Sequence, residues 1–593
     1  MKFGYRIFFI IAVIIFFLSC FYYYPFISDD SLISLRYVQR FIEGKGLNWT
    51  DGHPVEGYSN FLWILGVSVL GKLGIDLIVA ARILGILCSI GTIWTILTYF
   101  RTQPVKKELV FLAVTLLVTT PCFAVWAIGG LEQPLYVLLV TLTFVEVLRI
   151  VSSNDFRKIY HLSVWLGLLA LTRPDGYLFT IITSLFLLFV YRQKKELLLK
   201  IGIATIFVPT LFLISQLVFR YVYYGELVPN TALVKVKITI HHILRGGFYH
   251  VKAFFGTLLL SLLGLYGMYI LVFKKKNVFG FYILLITTAW VSYVTLVGGD
   301  IFPAFRHYYV VLIFFTFAII LGLDAINLNK INFSNNKFIS GVIAVLILNA
   351  FIQTQFKDNQ NAVNERWEFR GMKLGERLKV TFPDKTLIAV TAAGCIPYSS
   401  ELPAIDMLGL NDYYIPRHPP ADFGTGPLAH ELGDARYVMS RHPDIIIFNT
   451  GAPLLFNIGD QLKANKTFNS DYIKLLATER GAEYIMFLNK YGKHAGIKMT
   501  ENELKIPGYL FTHPKDTTSA FIGQKLLRAV YTGSTYVISL RHIPDKKWKV
   551  KSIESSKNVK FQTTIVQENQ ELKVFVKPNQ NALLESVVLI GKD

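Results

Sequence analysis

An α-helical polytopic membrane protein carrying a C-terminal soluble α/β domain is the fold class this sequence predicts, on three observations. Hydrophobic residues make up 53% of the 593. Up to residue 355 they fall in runs of about 18–22, long enough to cross a hydrocarbon core of about 30 Å. Beyond residue 355 the pattern becomes that of a water-soluble domain, so the chain divides into a membrane part, 1–355, and an α/β part, 356–593, whose last stretch is β-rich.

The apolar runs place about eleven spans, at 5–27, 78–100, 108–125, 133–151, 160–173, 176–191, 201–221, 251–273, 279–297, 307–325 and 338–355. The first run is long for a signal-peptide core and no small-residue cleavage site follows it, so it reads as a retained span. The fifth is short enough to tilt or to lie partly in the interface. The net charge of +20 would point to nucleic acid in a soluble protein. Here much of the excess sits in compact loops (Arg101, Lys106 and Lys107; Arg149, Arg157 and Lys158; Arg192, Lys194, Lys195 and Lys200; Lys274, Lys275 and Lys276; Lys330 and Lys337). With the amino terminus in the cytoplasm, every such cluster falls on the cytoplasmic face. The charge therefore reports topology, and no nucleic-acid partner is expected. The apolar segment 58–72 is only about fifteen residues long, which favours an interfacial or re-entrant piece over a span. Counting it as a span would invert the later loops. The same threading sends 356–593 to the outer face. Four cysteines, Cys20, Cys88, Cys122 and Cys395, show neither metal-ligand spacing nor a disulfide framework.

The outer loops hold the unusual polar residues. Loop 28–77 opens with Asp29-Asp30 and carries Arg36. The next holds Gly129-Gly130-Leu131-Glu132-Gln133-Pro134, and the third Arg173-Pro174-Asp175-Gly176. The fourth contains Asn230, Lys235 and Lys237, and the fifth runs Gly298-Gly299-Asp300 to Arg306-His307. An acid at a helix centre in lipid costs about 2.5–3.5 kcal/mol; these acids avoid it by sitting at span ends. Each piece has an ordinary reading. Asp29-Asp30 suits a solvated helix cap, Glu132 before Pro134 suits a first helical turn, and Lys235 and Lys237 suit snorkelling lysines. Five polar turns on one face, opposite the basic clusters, form a rim of acids and cations at the water–lipid boundary. Such a rim suits a substrate with a lipid tail, a phosphate and a sugar: cations hold phosphate, and an acid takes a proton from an acceptor hydroxyl.

The stretch DDSLISLRYVQRFIEGKGLNW (Asp29–Trp49), followed by GYSNFLWIL, resembles the first outer loop of the GT-C superfamily of integral membrane glycosyltransferases. The blocks GGLEQPL, LTRPDG, YGELVPNTALVK, GGDIFPAFRH and AAGCIPYSSELPAIDMLGLND (Ala392–Asp412) most resemble, in the same order, those of the mycobacterial terminal β-(1→2)-arabinofuranosyltransferases. The resemblance covers most of 28–450 as scattered blocks. It implies a multi-pass protein of the bacterial inner membrane. It implies inverting transfer of a sugar, such as a pentofuranose, from a polyprenyl-phosphate donor to an envelope glycan or lipid. It implies a catalytic base in the first-loop doublet and favours Asp29, although the doublet itself leaves Asp29 and Asp30 open. Arg36, Glu132, Arg173, Asp175, Asn230, Lys235, Lys237, Asp300, Arg306 and His307 are then the expected substrate-binding residues. A divalent cation (Mg, Mn or Ca) bridging Asp29 and Glu132 to the phosphate is compatible with this set and not required by it.

The soluble part shows short apolar strands at Leu387–Val390, Ile445–Phe448 and Tyr484–Leu488, a helix-like segment at Glu365–Val380, and strand-like alternation in TYVISLRHI, NVKFQTTIV and ELKVFVKP. A transporter or flippase is the rival class. It would place polar groups at mid-membrane in repeated halves, and no such repeat is visible. Transfer to protein hydroxyls or lipid A is the rival within enzymes.

Overall fold

The computed structural model describes residues 3–153, 155–235, 237–326, 335–492, 494–514, 518–541, 543–568 and 571–592. They divide into two compact units. The helical unit comprises Met1–Asn48, Tyr58–Arg366 and Gly424–Leu428; the sheet unit comprises Trp49–Gly57, Trp367–Phe423 and Ala429–Asp593.

The helical unit runs α1 (Phe3–Tyr23), α2 (Asp29–Ile42), α3 (Phe61–Lys72), α4 (Leu77–Phe100), α5 (Lys107–Thr119), α6 (Pro121–Ile128), α7 (Gln133–Ser153), α8 (Ile159–Thr172), α9 (Tyr177–Val190), α10 (Lys195–Gly202), α11 (Val208–Tyr224), α12 (Asn230–Lys235), α13 (Ile240–Gly256), α14 (Leu258–Tyr269), α15 (Val278–Leu296), α16 (Tyr309–Asp324) and α17 (Asn336–Gln355). Among the described residues seven helices are long and apolar enough to cross a membrane, or nine if each of two bent pairs counts as one span. The chain is thus a multi-pass membrane protein. The remaining expected spans fall on α8 and α9, 14 residues each. The segment expected to be interfacial or re-entrant forms α3, a 12-residue apolar helix.

Local chemistry sets the breaks. α5 and α6 meet at 54° where Pro121 follows Thr120, whose backbone is extended (φ −74°, ψ 127°). Proline disfavours helical geometry in the residue before it and removes a backbone donor. Pro209 explains the π-helical turn Ile203–Phe207 that joins α10 to α11, since its ring crowds the carbonyl one turn back. The expected span 251–273 falls on one of the bent pairs. The helix breaks at Thr257 (φ −132°, ψ 32°), and α13 meets the following helical segment at 102°. The reason lies in α13. His242, Gly246, Tyr249, Ala253 and Gly256 are buried along one face, whereas Leu244, Phe248, Val251 and Phe255 are exposed. The exposed face is apolar as well, so hydropathy alone does not separate α13 from part of a span.

Glycines let helices approach. A Cβ on Gly264 would lie 2.4 Å from the Phe315 ring, and one on Gly267 would lie 2.2 Å from the Ala318 carbonyl oxygen. α14 therefore packs backbone to backbone on α16, the small-residue contact typical of membrane helices. The turn before α2 is held by Arg82, which donates to the carbonyls of Pro25 (2.7 Å), Phe26 (3.0 Å) and Ile128 (3.3 Å).

In the sheet unit, β1 (Ile388–Val390), β2 (Ala404–Asp406) and β3 (Ile445–Ile447) run parallel in the order β2-β1-β3. All three are wholly buried, as three-residue apolar strands of a parallel core are. β4 (Tyr472–Glu479) and β5 (Ala482–Asn489) pair antiparallel, and β5 joins β3. The expected helix is Trp367–Thr381. The tail strands Tyr536–Arg541, Glu571–Pro578 and Phe561–Glu568 form a three-stranded antiparallel sheet. The larger sheet also takes in Lys547–Ser555 and Ala582–Lys592, two strands the sequence pattern did not single out. Segment Trp49–Gly57, read from sequence as part of a membrane-domain loop, is packed in this unit. Trp49 Nε1 donates to the Ala393 carbonyl (3.0 Å), and Thr50 Oγ1 accepts from the Ala404 amide (3.0 Å).

Two predictions follow from this packing. Gly267→Leu will force α14 and α16 apart and cost about 3 kcal/mol, the upper end of overpacking penalties, read as a lower midpoint of thermal unfolding in detergent. The second concerns Asp406, which accepts from the amides of Leu408 (3.0 Å) and Asn411 (2.9 Å) and from Asn411 Nδ2 (3.0 Å). Burial outweighs these donors and pushes its carboxyl up to about 6. A raised acid contributes stability that is full below its unfolded value near 3.8 and lost as pH rises through about 6. The sheet unit will lose on the order of 3 kcal/mol across that window, read from amide exchange of β1 and β2, and Asp406→Asn will flatten the dependence.

Candidate functional site

The site grows from the amino end of α2. Ser28 is its N-cap, its hydroxyl accepting from the Ser31 amide, and Asp29 and Asp30 occupy the first turn, where the helix dipole favours acids. The cap reading of the doublet therefore belongs to Ser28. The Ser28 amide donates to the Gly129 carbonyl (3.3 Å). Gly130 has φ +86°, and a Cβ there would meet Ser31 Oγ at 2.8 Å. A left-handed backbone in close contact accounts for glycine at this position. Trp63 Nε1 donates to the Gly130 carbonyl (3.0 Å). The Gly129–Gln133 loop is thus fixed onto α2, which delivers Glu132 to the site.

Glu132 is buried and heavily engaged. Its Oε2 accepts from Asn60 Nδ2 (2.9 Å); its Oε1 accepts from Gln133 Nε2 (3.0 Å) and from Arg173 Nη1. Arg173 also donates through Nε (3.1 Å) and Nη2 (2.8 Å) to Asp175. Asp175 further accepts from the hydroxyls of Tyr136 and Tyr293, both at 3.0 Å. One guanidinium thus lies between two carboxylates whose side chains are 2% and 3% exposed. From sequence Arg173 is a phosphate ligand. In the structure its Nε, Nη1 and Nη2 all donate to acids, one of them brought beside it by the tight Arg173-Pro174-Asp175 turn.

A second pair stands at the same doublet. Arg306 donates through Nε (2.8 Å) and Nη2 (2.9 Å) to Asp300, a bidentate geometry. Its Nη1 lies 3.9 Å from Asp30 Oδ2. The guanidinium carbon is 4.6 Å from the Phe302 ring and 5.5 Å from the Trp126 ring, a cation–π setting. Ala304 and Phe305 just before it adopt φ of +56° and +55°, left-handed geometry that costs non-glycine residues about 1–3 kcal/mol and clusters at functional sites.

Asp29 is buried, whereas the Asp30 side chain is 24% exposed. Arg36 is buried on α2 and donates to Gln39 Oε1 (3.1 Å). Asn230 is buried at the start of α12. Lys237 is exposed, and its carbonyl oxygen lies 2.5 Å from His242 Nδ1. The side chain of Lys235 lies outside the described residues. His307 donates its amide to Tyr249 Oη (3.1 Å), and its carbonyl accepts from Trp290 Nε1 (2.7 Å). Both Glu132 oxygens accept from protein donors, so a bridging cation would share them with Asn60, Gln133 and Arg173. Among the described residues no three His, Cys, Asp or Glu side chains group as a metal site. The residues missed from sequence are Asn60, Ser34, Tyr136 and Tyr293. Asn60 stood in the quoted YSNFLWIL block as a single amide before an apolar run; the tyrosines read as ordinary members of spans.

The chain has the GT-C fold. It superposes on ArnT from Cupriavidus metallidurans in the apo state with a TM-score of 0.54 at 11% identity, covering 82% of this chain and 97% of that one. ArnT from Cupriavidus metallidurans bound to undecaprenyl phosphate gives a TM-score of 0.48 at 12% identity, covering 68% and 86%. Arabinofuranosyltransferase AftD from Mycobacteria gives 0.42 at 10% identity, covering 99% of this chain and 57% of that one. Residues 358–500 match a family described as a domain of unknown function, DUF8728. No curated protein matches the chain.

Removing the central cation tests the ion network. Arg173→Met will leave Glu132 and Asp175 buried without their counter-ion and cost about 3–5 kcal/mol of stability, read by thermal unfolding in detergent. Adding Glu132→Gln and Asp175→Asn to the same chain will recover much of that loss.

Proposed function

We propose that this protein is an inverting glycosyltransferase that uses a polyprenyl-phosphate sugar. The observation that carries the reading is the doublet Asp29-Asp30 at a helix amino end, with Asp30 3.9 Å from an Arg306 guanidinium that Asp300 grips. A carboxylate doublet next to a cation gripped by a further acid, in a GT-C fold, supports this reading.

In the proposed reaction the acceptor hydroxyl oxygen attacks the anomeric carbon as its proton passes to Asp29. The bond from that carbon to the phosphate oxygen breaks, and its electron pair leaves on polyprenyl phosphate. The family resemblance assigns the base to Asp29; Asp30, beside Arg306, keeps that cation at the leaving group. Arg306 stabilises the phosphate charge as preorganised electrostatics do, with Arg36, Lys235, Lys237, His307 and Asn230 completing the donor and acceptor contacts. The Arg173–Glu132–Asp175 network supports this arrangement without touching the reacting atoms. The resemblance of the loop blocks favours a pentofuranose such as arabinofuranose as the sugar and an envelope glycan or lipid as the acceptor. It also favours the bacterial plasma membrane, with the sheet unit on the outer side.

Asp29→Asn will lower turnover about 10²–10⁴-fold, the share of a general base, with donor binding intact. Asp30→Asn will act mainly on the affinity for donor. Transfer of radiolabelled sugar by the purified variants, with donor binding measured separately, checks both. Near-normal turnover in both single variants and in the double variant removes the doublet from the chemistry.

A further inference from the structure

Asn60 occupies the N-cap position of α3 but makes no side-chain cap bond. An asparagine there ordinarily accepts a first-turn amide, worth about 1 kcal/mol. Instead its buried side chain turns across the helical unit. Nδ2 donates to Glu132 Oε2 (2.9 Å) and to Ser34 Oγ (3.1 Å). Glu132, acceptor-only when ionised, fixes which way the amide points. Ser34 stands on α2 one turn beyond Asp30, and its hydroxyl lies 3.3 Å from the Asp30 carbonyl oxygen and 3.4 Å from Asn60 Oδ1. A continuous set of contacts therefore runs from Asp175 through Arg173, Glu132, Asn60 and Ser34 to the turn that carries the acidic doublet.

We propose that Asn60 is a positioning residue, which uses the buried Arg173–Glu132 pair as an anchor to fix the amino-terminal turn of α2. Giving up the α3 cap is the local cost of this link. A polar residue serving only the start of α3 would bond to α3 amides. This one joins two other elements, and both of its amide hydrogens are spent on them. The inference rests on the transferase reading for its catalytic consequence, but the fixing of α2 is measurable without any transfer.

The test uses the purified full-length protein with Asn60→Ala and Asn60→Asp. Hydrogen–deuterium exchange is the first readout. Losing two hydrogen bonds speeds exchange about tenfold, and the increase is expected in the amides of 31–36 with those of 61–66 unchanged. Faster exchange in 61–66 with 31–36 unchanged makes Asn60 a cap and overturns the proposal. Kinetics is the second readout. Both variants are expected to lose turnover by tenfold or more, with KM for a polyprenyl-phosphate sugar changed less than about threefold. The Asn60→Asp defect will shrink as pH falls, because a protonated carboxyl again donates to Glu132. Wild-type turnover in Asn60→Ala, or a defect in Asn60→Asp that ignores pH, overturns the positioning role. If the wild-type protein transfers no sugar, the transferase reading fails while exchange still decides whether Asn60 fixes α2.

Discussion

The arrangement of the site depends on one guanidinium placed between two buried carboxylates. Removing a charge from water costs several kcal/mol per ion unless a partner and further donors compensate. Arg173 meets that condition from Glu132 and Asp175 together, and Asn60, Gln133, Tyr136 and Tyr293 supply the remaining hydrogen bonds. α7, α8, α9 and α15 are thereby tied at one point. An ion network of this kind stabilises less than an apolar core of equal volume, but it specifies geometry. That suits a site in which a carboxylate and a phosphate-binding cation must keep a fixed separation.

Arg306 presents the contrasting case. Two of its nitrogens are held by Asp300, and two aromatic rings lie within cation–π range. Its third nitrogen points toward Asp30 at a distance too long for a hydrogen bond. A cation so fixed carries little reorganisation cost on meeting an anion. The two arginines, alike in the sequence as charged residues at span ends, differ in how many of their donors neighbouring acids consume.

Much of this was legible in the sequence. Long apolar runs marked the helices, since the bilayer leaves few alternatives to a continuous helix. Acids at run ends marked the loops that carry the ion pairs, since lipid penalises acids elsewhere. The bend at Thr257 was not legible, because α13 is apolar enough to pass as part of a span and its packing face is set by α15 and the Pro303–Tyr308 turn. The partners of Arg173 were not legible beyond Asp175, because Glu132 lies 41 residues away and no local pattern records the pairing. Asn60 was hidden for a related reason: an asparagine before an apolar helix looks like a cap, and only the fold shows it bonded elsewhere. Short buried strands such as β1 and β3 were visible as apolar triplets, whereas their order in the sheet depends on non-local pairing.

We propose that this rim of acids and cations cleaves a lipid-phosphate sugar. The most direct measurement is phosphorus NMR of the purified protein in vesicles containing a polyprenyl-phosphate pentofuranose and an oligosaccharide acceptor. The account predicts that the phosphodiester signal gives way to the phosphomonoester of the free polyprenyl phosphate, only when acceptor is present. A folded protein that leaves the phosphodiester untouched across pentose and hexose donors and a panel of acceptors would contradict it.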